Sequence, residues 1–159
     1  MERIKTNAMR LLDKAGIKYK SYSYDASDGQ IDGISVAGKL GLPIEKVYKT
    51  LVTQGHSRNY FVFILQVVEE LDLKAAARSV CEKSIEMIKM ADINKVTGYI
   101  RGGCSPLGMK KQFTTVLDSS AEALDTIIVS AGKIGQQIEL DPRDLIALIN
   151  GSFDSIING

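Results

Sequence analysis

Lys49 combines a reactive residue type with an unusual setting, because it is a charged side chain within an apolar segment. Residues 47–51 read Val-Tyr-Lys-Thr-Leu, a pattern that predicts a β-strand. Side chains two positions apart in a strand share a face, so both faces beside Lys49 are apolar. A buried ammonium without a partner is costly and requires a counter-ion or an anionic ligand. Taken alone, the pattern favours the ordinary alternative, an edge-strand lysine whose ammonium reaches water.

Two glycine-rich segments could offer backbone N–H groups to a ligand. Residues 102–108 read Gly-Gly-Cys-Ser-Pro-Leu-Gly, and residues 129–135 read Val-Ser-Ala-Gly-Lys-Ile-Gly. Glycine allows close backbone approach, and exposed amides can hold a carbonyl oxygen or a phosphate. Each segment is equally compatible with a plain turn, and neither matches a P-loop or a dinucleotide fingerprint. The second segment could place Ser130 and its neighbouring amides beside the first.

The sequence contains few residues that could act as a nucleophile or bind a metal ion. His56 is the only histidine, and neither Cys81 nor Cys104 has a CxxC neighbour, so we expect no metal site and no disulfide framework. Cys104 could be a nucleophile because of its glycine-rich surroundings, but a catalytic thiolate needs a base or a cationic environment. We therefore interpret Cys104 as a loop-packing residue, and Cys81, in a predicted helical region, as a core residue.

The elements that would position these residues mix helices and strands irregularly. Capping residues and helical spacing predict helices at residues 6–16, 35–40, 71–80 and from 142 onward, with further helical segments within 82–96. Alternating or continuous apolar runs predict strands at residues 19–24, 47–54, 60–68, 114–118, 126–130 and 136–140. The run at 60–68 is apolar on both faces, which indicates a central, covered strand. Strict βαβ alternation is absent, so we expect a mixed α/β domain around one sheet or a partial barrel.

The composition is that of one globular domain spanning residues 1–159. The hydrophobic fraction is 45% and the net charge is +1, so contact with RNA would have to come from a local patch. Basic residues near the glycine segments could form such a rim: Lys95, Arg101, Lys110, Lys111 and Lys133. Residues 1–6 are polar and do not resemble a signal peptide, and no stretch is long enough to cross a bilayer. Together with only two cysteines, this favours a reducing, cytoplasmic setting.

Five motifs occur in an order that points to a known family. They are residues 47–51, 71–74 (Leu-Asp-Leu-Lys), 97–99 (Thr-Gly-Tyr), 102–108 and 129–133. Together they resemble the YbaK/EbsC family of bacterial Cys-tRNA(Pro) deacylases, which are relatives of the editing domain of prolyl-tRNA synthetase. The resemblance runs from about Asn7 to the last helix, and it implies an α/β fold whose mixed sheet forms a half-open barrel with flanking helices.

The activity that this resemblance implies is trans-acting hydrolysis of mischarged tRNA, above all Cys-tRNA(Pro). The strand lysine is essential in that family, which assigns the catalytic role to Lys49. The substrate-binding positions that it implies are Tyr24, Thr50, Gly102, Gly103 and Ser130. Family members use the substrate's own thiol as the nucleophile, so the protein contributes positioning and electrostatics. The resemblance implies no cofactor and no metal, and it implies tRNA(Pro) and prolyl-tRNA synthetase as partners.

Two positions depart from the family pattern and leave the preferred aminoacyl group open. Asp32 stands where some members have an aromatic residue, and Gln137 stands where some have an aspartate. Two other functions also stay open. One is a regulatory module that binds tRNA or a nucleotide without turnover, and the other is a hydrolase in which Cys104 is the nucleophile.

Overall fold

The computed structural model describes residues 5–158; residues 1–4 and 159, which include most of the polar N-terminal segment, lie outside the described part. Its helices are α1 (Asn7–Ala15), α2 (Gly33–Leu40), α3 (Leu73–Ser79), α4 (Ile93–Thr97) and α5 (Pro142–Ile149). Its strands are β1 (Lys20–Ser23), β2 (Tyr48–Gly55), β3 (Tyr60–Gln66), β4 (Ile85–Met87), β5 (Thr114–Asp118), β6 (Ile127–Ser130), β7 (Gln136–Leu140) and β8 (Ser152–Asp154). Short 3₁₀ turns precede β2, α4 and β6.

Side-chain caps explain where the helices begin. The Thr6 hydroxyl accepts a hydrogen bond from the Met9 amide at 3.2 Å, and Asp141 caps α5 in the same way with Pro142 in the first turn. Both caps were predicted and are confirmed. Helix α2 begins two residues earlier than predicted, because Asp32 accepts from the Ser35 amide at 3.1 Å.

The strands form two sheets that meet at one bridge. A three-stranded sheet has the order β1-β7-β6, and a five-stranded sheet has the order β4-β2-β3-β5-β8. An isolated parallel bridge between Val47 and Ile128 joins them, and we call this junction the seam. Within residues 5–158 the outer strands β1 and β8 do not pair with each other, so no second junction closes the two sheets into a barrel. The expected mixed α/β fold is confirmed, and β3 is the central, buried strand as predicted.

Hydrophobic clusters lie on both faces of the seam. Tyr48 and Val129 belong to the main core, which includes residues from α1 and α5. Val47 and Ile128 face the other way and pack against Ala37 of α2. Burial of a Val or Ile side chain contributes about 1.5–3 kcal/mol, so Val47 and Ile128 stabilise this face where α2 packs against it. Because Lys49 lies two residues after Val47, the strand directs it to the same face.

Glu139 on β7 ties the smaller sheet to its surroundings. Its carboxylate accepts hydrogen bonds from the Tyr22 hydroxyl at 2.5 Å, from the Lys46 ammonium at 3.0 Å and from the Thr126 hydroxyl. Burial alone would raise the pKa of Glu139, but these three donors outweigh it and lower the pKa to about 2. These hydrogen bonds therefore stabilise the ionised form of Glu139, and the ionised carboxylate in turn stabilises the pairing of β7 with its neighbours.

Three sequence-based expectations were wrong. Residues 82–96 are helical only at their end, because Ile85–Met87 pairs with β2 as β4. The short edge strand β8 was not predicted, and it pairs in parallel with β5. Cys81 is exposed, not a core residue, because α3 has already ended at Ser79 and the chain turns outward at a φ of 58°.

None of the helices within residues 5–158 has both the length and the apolar character needed to cross a membrane.

Candidate active site

A cavity of about 250 Å³ lies at the seam, between the start of β2 and the glycine-rich segments. Its lining includes four of the six predicted site residues: Lys49, Thr50, Gly102 and Ser130. The other lining residues are Gly33, Val47, Tyr48, Leu51, Val67, Arg101, Cys104 and Gln137. A larger groove of about 720 Å³ between α1 and β1 contains none of the predicted site residues, so it is not where the candidate chemistry assembles.

Lys49 is half-buried in this cavity with unused hydrogen-bonding capacity. Its Nζ donates to the Val67 carbonyl oxygen at 3.4 Å, and within residues 5–158 no carboxylate forms an ion pair with it. Burial lowers the pKa of Lys49 below its ordinary value of 10.5, while the more distant carboxylates of Glu70 and Glu69 oppose that change. An ammonium has three donors, so at least two remain for a ligand.

Two buried hydroxyl groups near the site lack partners. The Thr50 Oγ1 and the Tyr24 hydroxyl oxygen are buried without any hydrogen bond among the described residues. Tyr24 does not line the cavity, but its amide donates to the Gly135 carbonyl at 3.0 Å, which places it beside the second glycine segment. Leaving a buried hydroxyl unpaired costs about 1–3 kcal/mol, so these are positions where a ligand's polar atoms would relieve the penalty.

The two glycine-rich segments lie against each other, as the sequence suggested. A Cβ added to Gly103 would lie 3.1 Å from the Ile134 amide nitrogen, so this glycine permits the close approach even though it does not line the cavity. Gly102 has a φ of 86°, which favours glycine, and an added Cβ would lie 2.6 Å from Ile31 Cδ1. Ser130 Oγ accepts from the Gly132 amide at 3.2 Å, which holds the second segment in its turn.

Tyr99 fixes both segments in place, and sequence reasoning did not assign it this role. Its hydroxyl donates to the Leu107 carbonyl at 2.5 Å, and its ring would lie 2.9 Å from a Cβ added to Gly132. Burial raises the pKa of Tyr99 to about 12, so the hydroxyl remains a donor at neutral pH. The Thr-Gly-Tyr motif at residues 97–99 was visible in the sequence, but its contacts were not.

Cys104 lines the cavity as a protonated thiol. Burial raises its pKa to about 11, against a smaller opposing effect of a hydrogen bond with the Thr97 side chain. His56 is exposed in the turn between β2 and β3, where it lines a separate polar cleft with Arg58 and Glu86. Cys104 therefore has no histidine base beside it. Among residues 5–158 no three His, Cys, Asp or Glu side chains cluster in a way that could hold a metal ion.

The two departures from the family pattern occupy different settings. Gln137 is only 7% exposed, lies opposite Ser130 in the sheet and lines the cavity. Asp32 does not line the cavity, because its carboxylate caps α2, and hydrogen bonds from Ser35 lower its pKa. Gln137 is thus placed to touch a ligand, whereas Asp32 positions a helix.

Arg101 is the member of the predicted basic rim that lines the cavity. The other four residues of that rim are exposed but lie outside the lining: Lys95, Lys110, Lys111 and Lys133. Positive charge at the mouth therefore comes from Arg101, with Lys49 deeper inside.

Comparisons with known proteins identify the family of this chain. Residues 33–148 match the family described as the aminoacyl-tRNA editing domain. A protein of Enterococcus faecalis, provisionally named Cys-tRNA(Pro)/Cys-tRNA(Cys) deacylase EbsC, is 45% identical over 152 residues, which cover 96% of this chain and 93% of that protein.

Solved structures show the same fold at lower identity. A protein provisionally described as a trans-editing enzyme for prolyl tRNA synthetase matches with a TM-score of 0.83 and 21% identity, over 99% of this chain and 100% of that one. A hypothetical protein matches with a TM-score of 0.87 and 14% identity, over 96% of this chain and 100% of that one. On the family match and the Enterococcus relative, the chain belongs to the aminoacyl-tRNA editing domain family.

Proposed function

We propose that this protein is a trans-acting deacylase that hydrolyses mischarged tRNA, with Cys-tRNA(Pro) as its main substrate. Membership of the editing family and the name of the Enterococcus relative support the reaction class and the substrate. The observation that carries the proposal is the half-buried Lys49 ammonium, which has free donors inside a cavity lined by glycine-loop backbone. The whole chain, residues 1–159, would act as one editing domain in the cytoplasm, with prolyl-tRNA synthetase as a further partner.

The chemistry requires no nucleophile from the protein. The thiolate of the esterified cysteine attacks its own carbonyl carbon, the ester C–O bond breaks, and the ribose oxygen takes up the proton that the thiol lost. The resulting cyclic thioester then hydrolyses to cysteine. Lys49 orients the acceptor end and stabilises the negative charge that develops on the carbonyl oxygen, with backbone amides of the glycine segments in support.

The neighbouring residues would hold the substrate in this geometry. Thr50 and Tyr24 have unpaired buried hydroxyls that can bond to the ribose or the aminoacyl group. Gly102 and Gly103 allow the scissile ester to approach the backbone, and Ser130 borders the same cavity. The raised pKa of Cys104 and its lack of a histidine partner argue against the alternative in which Cys104 attacks the ester.

Release of cysteine from Cys-tRNA(Pro) tests the proposal directly. We expect Lys49→Ala and Lys49→Met to lower the rate by about 10²–10³-fold, as when one oxyanion donor is removed. Lys83→Ala is the matched control, because Lys83 is an exposed lysine outside the cavity. Equal background rates for wild type and Lys49→Ala would refute deacylation. Tight tRNA binding without ester cleavage would favour the regulatory module instead.

A further inference from the structure

The cavity is too small to hold more than the end of an aminoacylated nucleotide. Its volume of about 250 Å³ lies below the roughly 300–1,000 Å³ of pockets that enclose whole small ligands. If Lys49, inside the cavity, faces the scissile ester, the aminoacyl group and the attached ribose fill the available space. That ribose also carries the adenine base and the phosphodiester on its 5′ side, so both of these groups lie at or outside the mouth.

At the mouth of the cavity, Arg101 lies on a well-defined β-turn. The Gly103 amide donates to the Ile100 carbonyl at 3.0 Å, and Gly102 has a φ of 86°, so residues 100–103 form a type II β-turn. Arg101 occupies the first corner of this turn, where its side chain is exposed. Within residues 5–158 it forms no ion pair, and its guanidinium donates no hydrogen bond. The turn lies close to the second glycine segment, since a Cβ added to Gly103 would lie 3.1 Å from the Ile134 amide nitrogen.

A guanidinium is well suited to this position. Its planar fork of donors matches two phosphate oxygens at once, whereas the Lys49 ammonium is a point charge deeper in the site. The turn fixes the backbone of Arg101, so less conformational freedom is lost on binding than for an arginine on a loose loop.

We propose that Arg101 binds the phosphodiester adjacent to the terminal ribose of the aminoacylated substrate, and so acts as a binding residue separate from Lys49. This inference rests on the proposed deacylase function. Because the phosphate does not react, its contact with Arg101 strengthens ground state and transition state alike, and its loss raises KM with little change in kcat.

Two substrates separate this role from catalysis. One is Cys-tRNA(Pro), and the other is the cysteinyl ester of adenosine, which has the scissile bond but no phosphate. For Arg101→Ala we expect kcat/KM on the tRNA to fall about 10–100-fold, the range of a lost charge-assisted hydrogen bond, while kcat/KM on the adenosine ester stays unchanged. Arg101→Lys should recover part of the loss, because it restores the charge without the fork. The loss should shrink as salt is added.

Arg78→Ala is the matched control, because Arg78 is an exposed arginine on α3 outside the cavity. An equal loss on both substrates, or no loss on the tRNA, would overturn the role of Arg101 while deacylation stands. A loss in Arg78→Ala as large as that in Arg101→Ala would also overturn it, because general charge would then be responsible. If wild type cleaves neither substrate, the failure lies in the proposed deacylase function itself.

Discussion

Alkylation of the two cysteines by iodoacetamide compares a thiol inside the cavity with one outside it in the same molecule. Cys104 lines the cavity, whereas Cys81 is exposed on the turn after α3. Only the thiolate reacts at a useful rate, so the reaction reports how far each environment favours the charged form.

The expected size of the effect follows from the environment of Cys104. Burial raises the pKa of this thiol from 9.0 to about 11. At about pH 7 roughly one Cys104 in 10⁴ is then ionised, about a hundredfold fewer than for a thiol at the ordinary value. Alkylation of Cys104 should therefore be about a hundredfold slower than that of a free thiol, and it should continue to accelerate as the pH rises toward 11.

Mass spectrometry of the two cysteine-containing peptides after timed exposure measures both rates, with Cys81 as the internal reference. Cysteine release by Cys104→Ser, with Cys81→Ser as its control, then tests whether the thiol takes part in the reaction. We expect Cys104→Ser to keep full activity. The reasoning would be refuted if Cys104 reacted at neutral pH as fast as Cys81 and its replacement abolished deacylation, since both results would indicate an activated nucleophile.

Two further variants test other features of the site and its support. Thr50→Val should raise the melting temperature, since it removes a buried unpaired hydroxyl that costs about 1–3 kcal/mol, and it should also slow deacylation; a lower melting temperature or an unchanged rate would contradict this. Glu139 has a folded-state pKa of about 2, below its unfolded value, so its contribution to stability is present above about pH 4.5 and is lost as the pH falls toward 2. After allowance for solvent screening we expect this contribution to be about 1–2 kcal/mol. Between about pH 4.5 and pH 2, the free energy of unfolding measured with denaturant should therefore fall less for Glu139→Gln than for wild type. The exposed Glu86→Gln is the control, and parallel pH profiles for wild type and Glu139→Gln would show that the cluster contributes nothing.

Local signals in the sequence accounted for most of the fold. Thr6 and Asp141 are capping residues whose effect is confined to one helical turn, so they could be read without any tertiary information. Strands β4 and β8 are three residues each, and they exist because they pair with β2 and β5. Such short strands have no periodicity of their own, so no local pattern predicts them. The prediction that Cys81 is a core residue was wrong because no glycine marks the end of α3, which is fixed by backbone geometry alone.

The candidate site was predictable in its residue types but not in its geometry. The lysine in an apolar strand and the two glycine segments were visible as patterns, and the resemblance implied that they act together. Long-range pairing determines which groups are left unbonded, so the sequence could not reveal the unpaired hydroxyl of Thr50. In the sequence, Arg101 is only one of five basic residues near the glycine segments. What distinguishes it is its position at the corner of a turn at the mouth of the cavity.

The seam also has a consequence for the order of assembly during folding. Val47 and Ile128 are about 80 residues apart in the chain, so the cavity at the seam exists only after a long loop has closed. The β2–β3 and β6–β7 pairs can form before that closure, because each joins strands that are adjacent in the chain, whereas contacts between distant residues slow folding. A nascent or partly refolded chain would therefore acquire its helices and these two hairpins before it could edit any tRNA. Substrate that binds across the seam would in turn stabilise the closed state by mass action.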